Sequence, residues 1–395
     1  MAIKFGRTMK QQEMRIGSCV LEVGTAAARL SAGITCGDGL RRELWYSLPA
    51  AHADWFAADR CDGFVVGLLL QAMERKENII TADPMSSRLW HSLSRFYIPM
   101  MTQAFPNLHR IEIIPSSLTA EVRPARGVAT GFSGGIDSFA AVVQHFAQET
   151  SQDHRVTHFL FHNVGSHGEH DAEKARQLFR QRYETVQPFA NEAGIPTVPV
   201  DSNLANVFPM DYVKTYSAVN PSVLLVLQNK FHRYFYASGY KYADCRVEPV
   251  KDIAYLDPMA VHLLSTETLD CVSTGGQMSR VEKTKLVATY EPSYRYLNVC
   301  VDSAFEGRNC SVCFKCRRTM MTLELLGLDH LYRNVFDFNK FALVRRRYLK
   351  EIILHYPYSF EQEIAEALYA PRSRWWNYLI KTGGWIRKHR QYQKK

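Results

Sequence analysis

A chain of 395 residues is long enough for two or three domains, since a single core rarely grows past about 250–300 residues. Its 46% hydrophobic and 22% charged content is that of a globular protein, and no apolar run approaches the roughly 18 residues of a membrane-spanning helix. Of the net charge of +9, eight positive charges fall in residues 371–395, which contain no acid; the rest of the chain is nearly neutral, which excludes a basic surface over the whole protein.

Residues 1–122 predict an α/β accessory domain. After an irregular start, "GFVVGLLLQAMERK" reads as a helix, "ENIITAD" as a strand and "MSSRLWHSLSRFYIPMMTQAF" as a longer helix. "HRIEIIP" reads as another strand, and "PSSLTAEVRPARG" as a linker. From Gly127 the rhythm becomes strict alternation. Strands "GVATGF", "RVTHFLFHNV", "IPTVPVD", "RYFYAS" and "ETLDCVSTGG" are separated by helical stretches, which predicts a parallel sheet with helices on both faces over residues 123–320. Residues 321–395 predict a helical C-terminal region. No N-terminal segment has the apolar length of a signal peptide, so the expectation is a cytoplasmic protein.

The stretch "GFSGGIDSFAAVV" stands between the first strand of the alternating half and its helix. Gly134 and Gly135 permit positive φ and close approach by a ligand. The free N–H groups of the following helix suit a phosphate. Hydroxyls of Ser133 and Ser138 can donate to phosphate oxygens, and Asp137 can hold a bridging Mg²⁺. A Gly-rich turn with an Asp/Ser cap is the competing reading. In favourable context, Ser133, Gly134, Gly135, Ile136, Asp137 and Ser138 form one phosphate site.

"SGGIDS" after a strand resembles the PP-loop of the ATP pyrophosphatase superfamily, whose fold is adenine nucleotide alpha-hydrolase-like (HUP-like). The resemblance covers about residues 125–320. It implies ATP and Mg²⁺, with the triphosphate on residues 133–138 and the adenine against the end of the next strand, near His162 and Asn163. His162, His167 and His170 read as loop histidines rather than metal ligands; many relatives place an acid there. "GGQMSRVEKTKLVATY" resembles the family's later phosphate-side segment. There Lys283 would neutralise charge on departing pyrophosphate beside Asp137, the alternative being a solvated face shared with Glu282. Asp201, after the third strand, reads as a turn residue.

Five of the nine cysteines are scattered, and four crowd together as Cys300, Cys310, Cys313 and Cys316. The clustering and the odd count point to reduced thiols plus one metal site. Four thiolates at short spacing suit tetrahedral Zn²⁺, with Lys315, Arg317 and Arg318 offsetting the charge; an Fe–S cluster, a sulfur relay or four free thiols are the alternatives. The spacing, in this order after the loop, resembles 7-cyano-7-deazaguanine synthases, which activate a carboxylate with ATP. The chain departs from them in its N-terminal region and in about 75 residues past the last cysteine.

These readings imply an adenylating enzyme, a PP-loop ligase, that forms AMP and pyrophosphate from a small-molecule substrate. The alternatives are a tRNA or DNA base-modifying enzyme, or a non-catalytic nucleotide-binding partner in a biosynthetic or defence assembly. The tail "PRSRWWNYLIKTGGWIRKHRQYQKK" fits either an anionic membrane surface or nucleic acid, or a helix packing its tryptophans on the body. A homodimer is compatible with all of these.

Overall fold

The computed structural model describes residues 12–168, 171–302, 307–355 and 359–369. The stretch read as an irregular start is instead four strands, β1 (Gln12–Ile16), β2 (Val20–Val23), β3 (Ala27–Thr35) and β4 (Arg41–Pro49). In β3 the small and branched residues Ala28, Leu30, Ala32 and Ile34 alternate into the core, the period of two that one buried sheet face demands. Helix α1 (Asp62–Arg75) is apolar all round and buried along nearly its whole length. Then follow β5 (Glu77–Thr81), parallel to β1, and β6 (Met85–Ser86). The longer predicted helix is α2 (Ser87–Ser92) and α3 (Ile98–Ala104) joined through a π-helical turn at Leu93–Tyr97, and the short strands β7 (Ile113–Ile114) and β8 (Leu118–Thr119) close the region.

The alternating half is as the sequence predicts. It runs β9 (Gly127–Gly131), α4 (Ile136–Val142), β10 (His158–Asn163), α5 (Ala172–Ala193), β11 (Thr197–Ser202), α6 (Leu204–Val207), α7 (Tyr216–Val226), β12 (Phe231–Ala237), α8 (Asp257–Ala260), β13 (Asp270–Thr274), α9 (Arg280–Val287) and α10 (Ser293–Tyr296). A π-helical turn at Val143–Ala147 prolongs α4. Helices α11 (Phe314–Leu326), α12 (Phe338–His355) and α13 (Ser359–Tyr369) follow. The basic tail 371–395 lies outside the described residues.

One large, mostly parallel mixed sheet runs through the protein in the order β13-β12-β9-β10-β11-β4-β3-β1-β5-β7, with β2 pairing β3 at the side. The antiparallel pair β11–β4, in register at Asp201↔Ser47 and Ser202↔Tyr46, carries the sheet from the alternating half into the first 120 residues. Both faces are covered. Ala129, Leu160, Tyr234 and Tyr236 face one core with α1 and α7. Their neighbours Val128, Phe159, Phe161 and Phe235 face a second core with α4, α5 and α11–α13.

Candidate functional site

Strand β9 is the pivot of the alternating half: the chain leaves it toward β10 and β11 on one side and returns to β12 and β13 on the other. Where the order reverses, the helices diverge and a crevice opens beyond the carboxyl ends of the strands. Residues 133–138 sit there. Gly134 has φ +76°, a conformation that only glycine adopts without cost, and its carbonyl accepts from the Asn298 N–H at 2.8 Å. Gly135 caps α4 without a side-chain bond, so the first-turn N–H groups of α4 have no side-chain cap. Ser138 Oγ donates to the Gly135 carbonyl at 3.0 Å and lies 3.4 Å from Ser133 Oγ.

Asp137 joins this loop to α9. Its Oδ2 accepts from Arg280 at 2.7 Å and its Oδ1 from the Lys283 ammonium at 3.1 Å. Burial pushes the Asp137 carboxyl up, but Arg280 and Lys283 overcome this and leave its pKa below the ordinary value. Lys283 is no surface residue: its side chain is 1% exposed and also donates to the Ser238 carbonyl at 2.6 Å. Burial lowers its pKa and Asp137 opposes that shift. Gly275, at φ +84°, makes the room, since a Cβ there would meet Lys283 Cε at 3.1 Å. Ser279 and Glu282 form a capping box at the start of α9, and Glu363 of α13 accepts from the Arg280 N–H at 2.6 Å.

The crevice is a cavity of about 860 Å³. Residues 133 and 135–138, His162 at the end of β10 and Ala237 at the end of β12 line it, and α11 and α13 add Lys315, Arg318, Phe360 and Glu361. A tyrosine wall (Tyr212, Tyr216, Tyr234, Tyr236, Tyr240, Tyr255) lines it too, with Tyr240 stacked on Phe360 of α13. His162 and His167 both face the cavity; burial holds His162 down to about 4 and, with Arg182, His167 to about 3, so both rings are neutral at pH 7. His170 lies outside the described residues. Asn163 is buried and donates to Asp201 Oδ1 at 2.8 Å; Asp201 is the last but one residue of β11 and also binds Arg176, so it is a strand residue that ties β10, β11 and α5 together. Sequence reasoning left out Arg280 as a partner of Asp137, and Lys315 and Arg318 as cavity residues.

The four clustered thiols converge. Single Sγ atoms of Cys300, Cys310, Cys313 and Cys316 all lie within 4.8 Å of one another, and those of Cys310 and Cys316 are 3.9 Å apart. A tetrahedral zinc with Zn–S near 2.3 Å needs sulfurs about 3.8 Å apart, so the donor set fits this ion. The thiol of Cys316 beside Cys313 pulls the Cys313 pKa below the ordinary thiol value, while its own is pushed up. The main-chain N–H of Cys313 points at Cys310 Sγ (3.2 Å) and that of Cys310 at Cys300 Sγ (3.5 Å), the N–H···S contacts that settle thiolate charge. The other five cysteines are free thiols.

Behind the tyrosine wall, fully buried Asp257 accepts from Ser217 Oγ at 2.5 Å and Ser238 Oγ at 3.0 Å. Burial raises its pKa from 3.8 to about 8; the two serines and Lys283 oppose this, and Asp252 adds to it. The folded state therefore keeps a proton that the unfolded chain releases. This group's contribution to stability is complete below about pH 4 and falls as pH rises to about 8, by up to about 1.4 kcal/mol per pH unit. Urea unfolding between pH 6 and pH 8 is expected to show this slope, and Asp257→Asn to flatten it.

No protein-family model, no curated protein and no solved structure matches the chain.

Proposed function

We propose that the chain is an ATP-dependent adenylating enzyme whose residues 123–320 form a HUP-like PP-loop unit. One observation carries the reading: a Ser-Gly-Gly-Ile-Asp-Ser turn at the reversal point of a parallel sheet, its acid clasped by two cations from α9. Polyphosphate would lie on the main-chain amides of residues 133–138, and adenine toward His162. A carboxylate or amide oxygen of the acceptor attacks the α-phosphorus, and the bond to pyrophosphate breaks with its electron pair leaving on pyrophosphate. A second nucleophile then displaces AMP from the acceptor. No side-chain nucleophile is required; positioning and charge stabilisation by Arg280, which lines the cavity, supply the catalysis, with buried Lys283 acting through Asp137.

Mg²⁺ fits the donor set only in part. Both Asp137 oxygens already hold cations, so phosphate oxygens and water would be its chief ligands. A volume of about 860 Å³ is at the upper end for small-molecule pockets, which leaves room for a small acceptor beside the nucleotide. Calorimetric titration with Mg²⁺-ATP is expected to show one saturable site per chain. Incubation with pooled carboxylic acids and labelled ATP is expected to release AMP and pyrophosphate. Absence of ATP binding, or release of ADP and phosphate instead, would overturn the reading.

A further inference from the structure

Helix α11 begins inside the cysteine cluster. Cys313 is its N-cap, Cys316 lies on its first turn, and Lys315 stands between them, exposed to the cavity. It shares the cavity lining with Arg182, Arg280 and Arg318 and with the acids Asp137 and Glu361. Those acids are taken: Asp137 pairs with Arg280 and Lys283, and Glu361 pairs with Arg318 at 3.2 Å. Among the described residues, the Lys315 side chain forms no ion pair or hydrogen bond. A cation held among cations without a carboxylate of its own is favoured only when an anion joins it.

The other end of the cluster reaches the phosphate loop. Asn298, whose N–H holds the Gly134 carbonyl at 2.8 Å, also accepts through Oδ1 from the Cys300 N–H at 3.2 Å. Asn309, next to Cys310, clamps the same segment by accepting from Val299 N–H at 2.8 Å and donating to the Leu297 carbonyl at 2.9 Å. An ion on the four sulfurs would staple this loop-backing segment to the first turn of α11.

We infer that Lys315 binds a phosphate oxyanion of the ligand in this cavity, and that metal on the four cysteines sets where Lys315 stands relative to residues 133–138. The identity of the ligand as a nucleotide rests on the adenylating reading; the anion site does not. The metal centre is thus a positioning device for a ligand-binding cation as well as a staple of the fold.

The test uses zinc-loaded full-length protein, with inorganic pyrophosphate and ATP as separate calorimetric probes. Lys315→Gln is expected to weaken both by about tenfold to a hundredfold, the range for a lost charge-assisted bond, and Lys315→Arg to regain part of it. Chelation of the metal is expected to weaken pyrophosphate binding by wild type about tenfold, and by Lys315→Gln less than threefold. Wild-type affinity in Lys315→Gln overturns the anion role and leaves the adenylating reading standing. Equal losses on chelation in both proteins overturn the metal's positioning role. If wild type binds neither probe, both readings fall. Should chelation unfold the chain, cobalt replaces zinc: pyrophosphate is expected to shift the thiolate-to-cobalt absorption in wild type but not in Lys315→Gln, and no shift in wild type overturns the coupling.

Discussion

Asp137→Ala is expected to lower pyrophosphate release by about a thousandfold. Loss of one preorganised electrostatic partner commonly costs about 10²–10³ in rate, and Asp137 anchors two of them, Arg280 at 2.7 Å and Lys283 at 3.1 Å. The same change leaves the Lys283 ammonium, 1% exposed, with the Ser238 carbonyl as its remaining partner. Breaking a buried pair in this way costs about 3–5 kcal/mol, so melting temperature falls too. Asp137→Asn keeps an acceptor oxygen without the charge and should lie between alanine and wild type. Lys283→Met, which fills the same space, is expected to lose about a hundredfold in rate with a smaller loss of stability. A pyrophosphate-coupled assay beside thermal melts separates the two effects. Activity within tenfold of wild type in Asp137→Ala would remove this residue from the reacting site.

Cys316→Ser is expected to abolish stoichiometric zinc and to lower the melting temperature by about 10 °C or more. Structural zinc supplies about 10–16 kcal/mol of apparent binding energy in small zinc peptides at neutral pH, and part of that is folding energy. Cys316 is fully buried among Met320, Met321 and Leu323, so loss of the ion is felt directly in the second core. Cys271→Ser is the control: this thiol is as buried but lies outside the cluster, and its loss should leave the zinc content at one per chain. Atomic emission and calorimetric melting of both variants check this. Full zinc retention in Cys316→Ser would show that the four sulfurs do not act as one site.

The parallel half of the fold was legible because its strands are buried on both faces and read as apolar runs: "GVATGF", "HFLFHN" and "RYFYA" tolerate little else. Strands β1–β4 were not. β2 is four residues long and exposed throughout, and β3 mixes alanines with Leu30 and Ile34 on its inner face, so no sustained apolar run marks either. Lys283 was ambiguous because it sits among Glu282 and Lys285 in sequence, and only the depth of α9 behind Gly275 shows which of the three points inward. The four cysteines were plain from spacing. The part of α13 in the site was beyond reach, since Glu361 and Glu363 meet Arg318 and Arg280 across 43 and 83 residues of chain. Asn163 and Asp201 stand 38 residues apart in the chain, and their mutual bond depends on the parallel register of β10 with β11.

The β11–β4 seam has a consequence for dissecting the molecule. Without the first fifty residues, β11 would become a naked margin whose N–H and C=O groups seek another chain, with the apolar surface of Val198 and Val200 uncovered beside it. A fragment starting at residue 123 would keep the whole loop-bearing half in sequence and yet be prone to clump. The two halves have to be made together, whatever each contributes to chemistry.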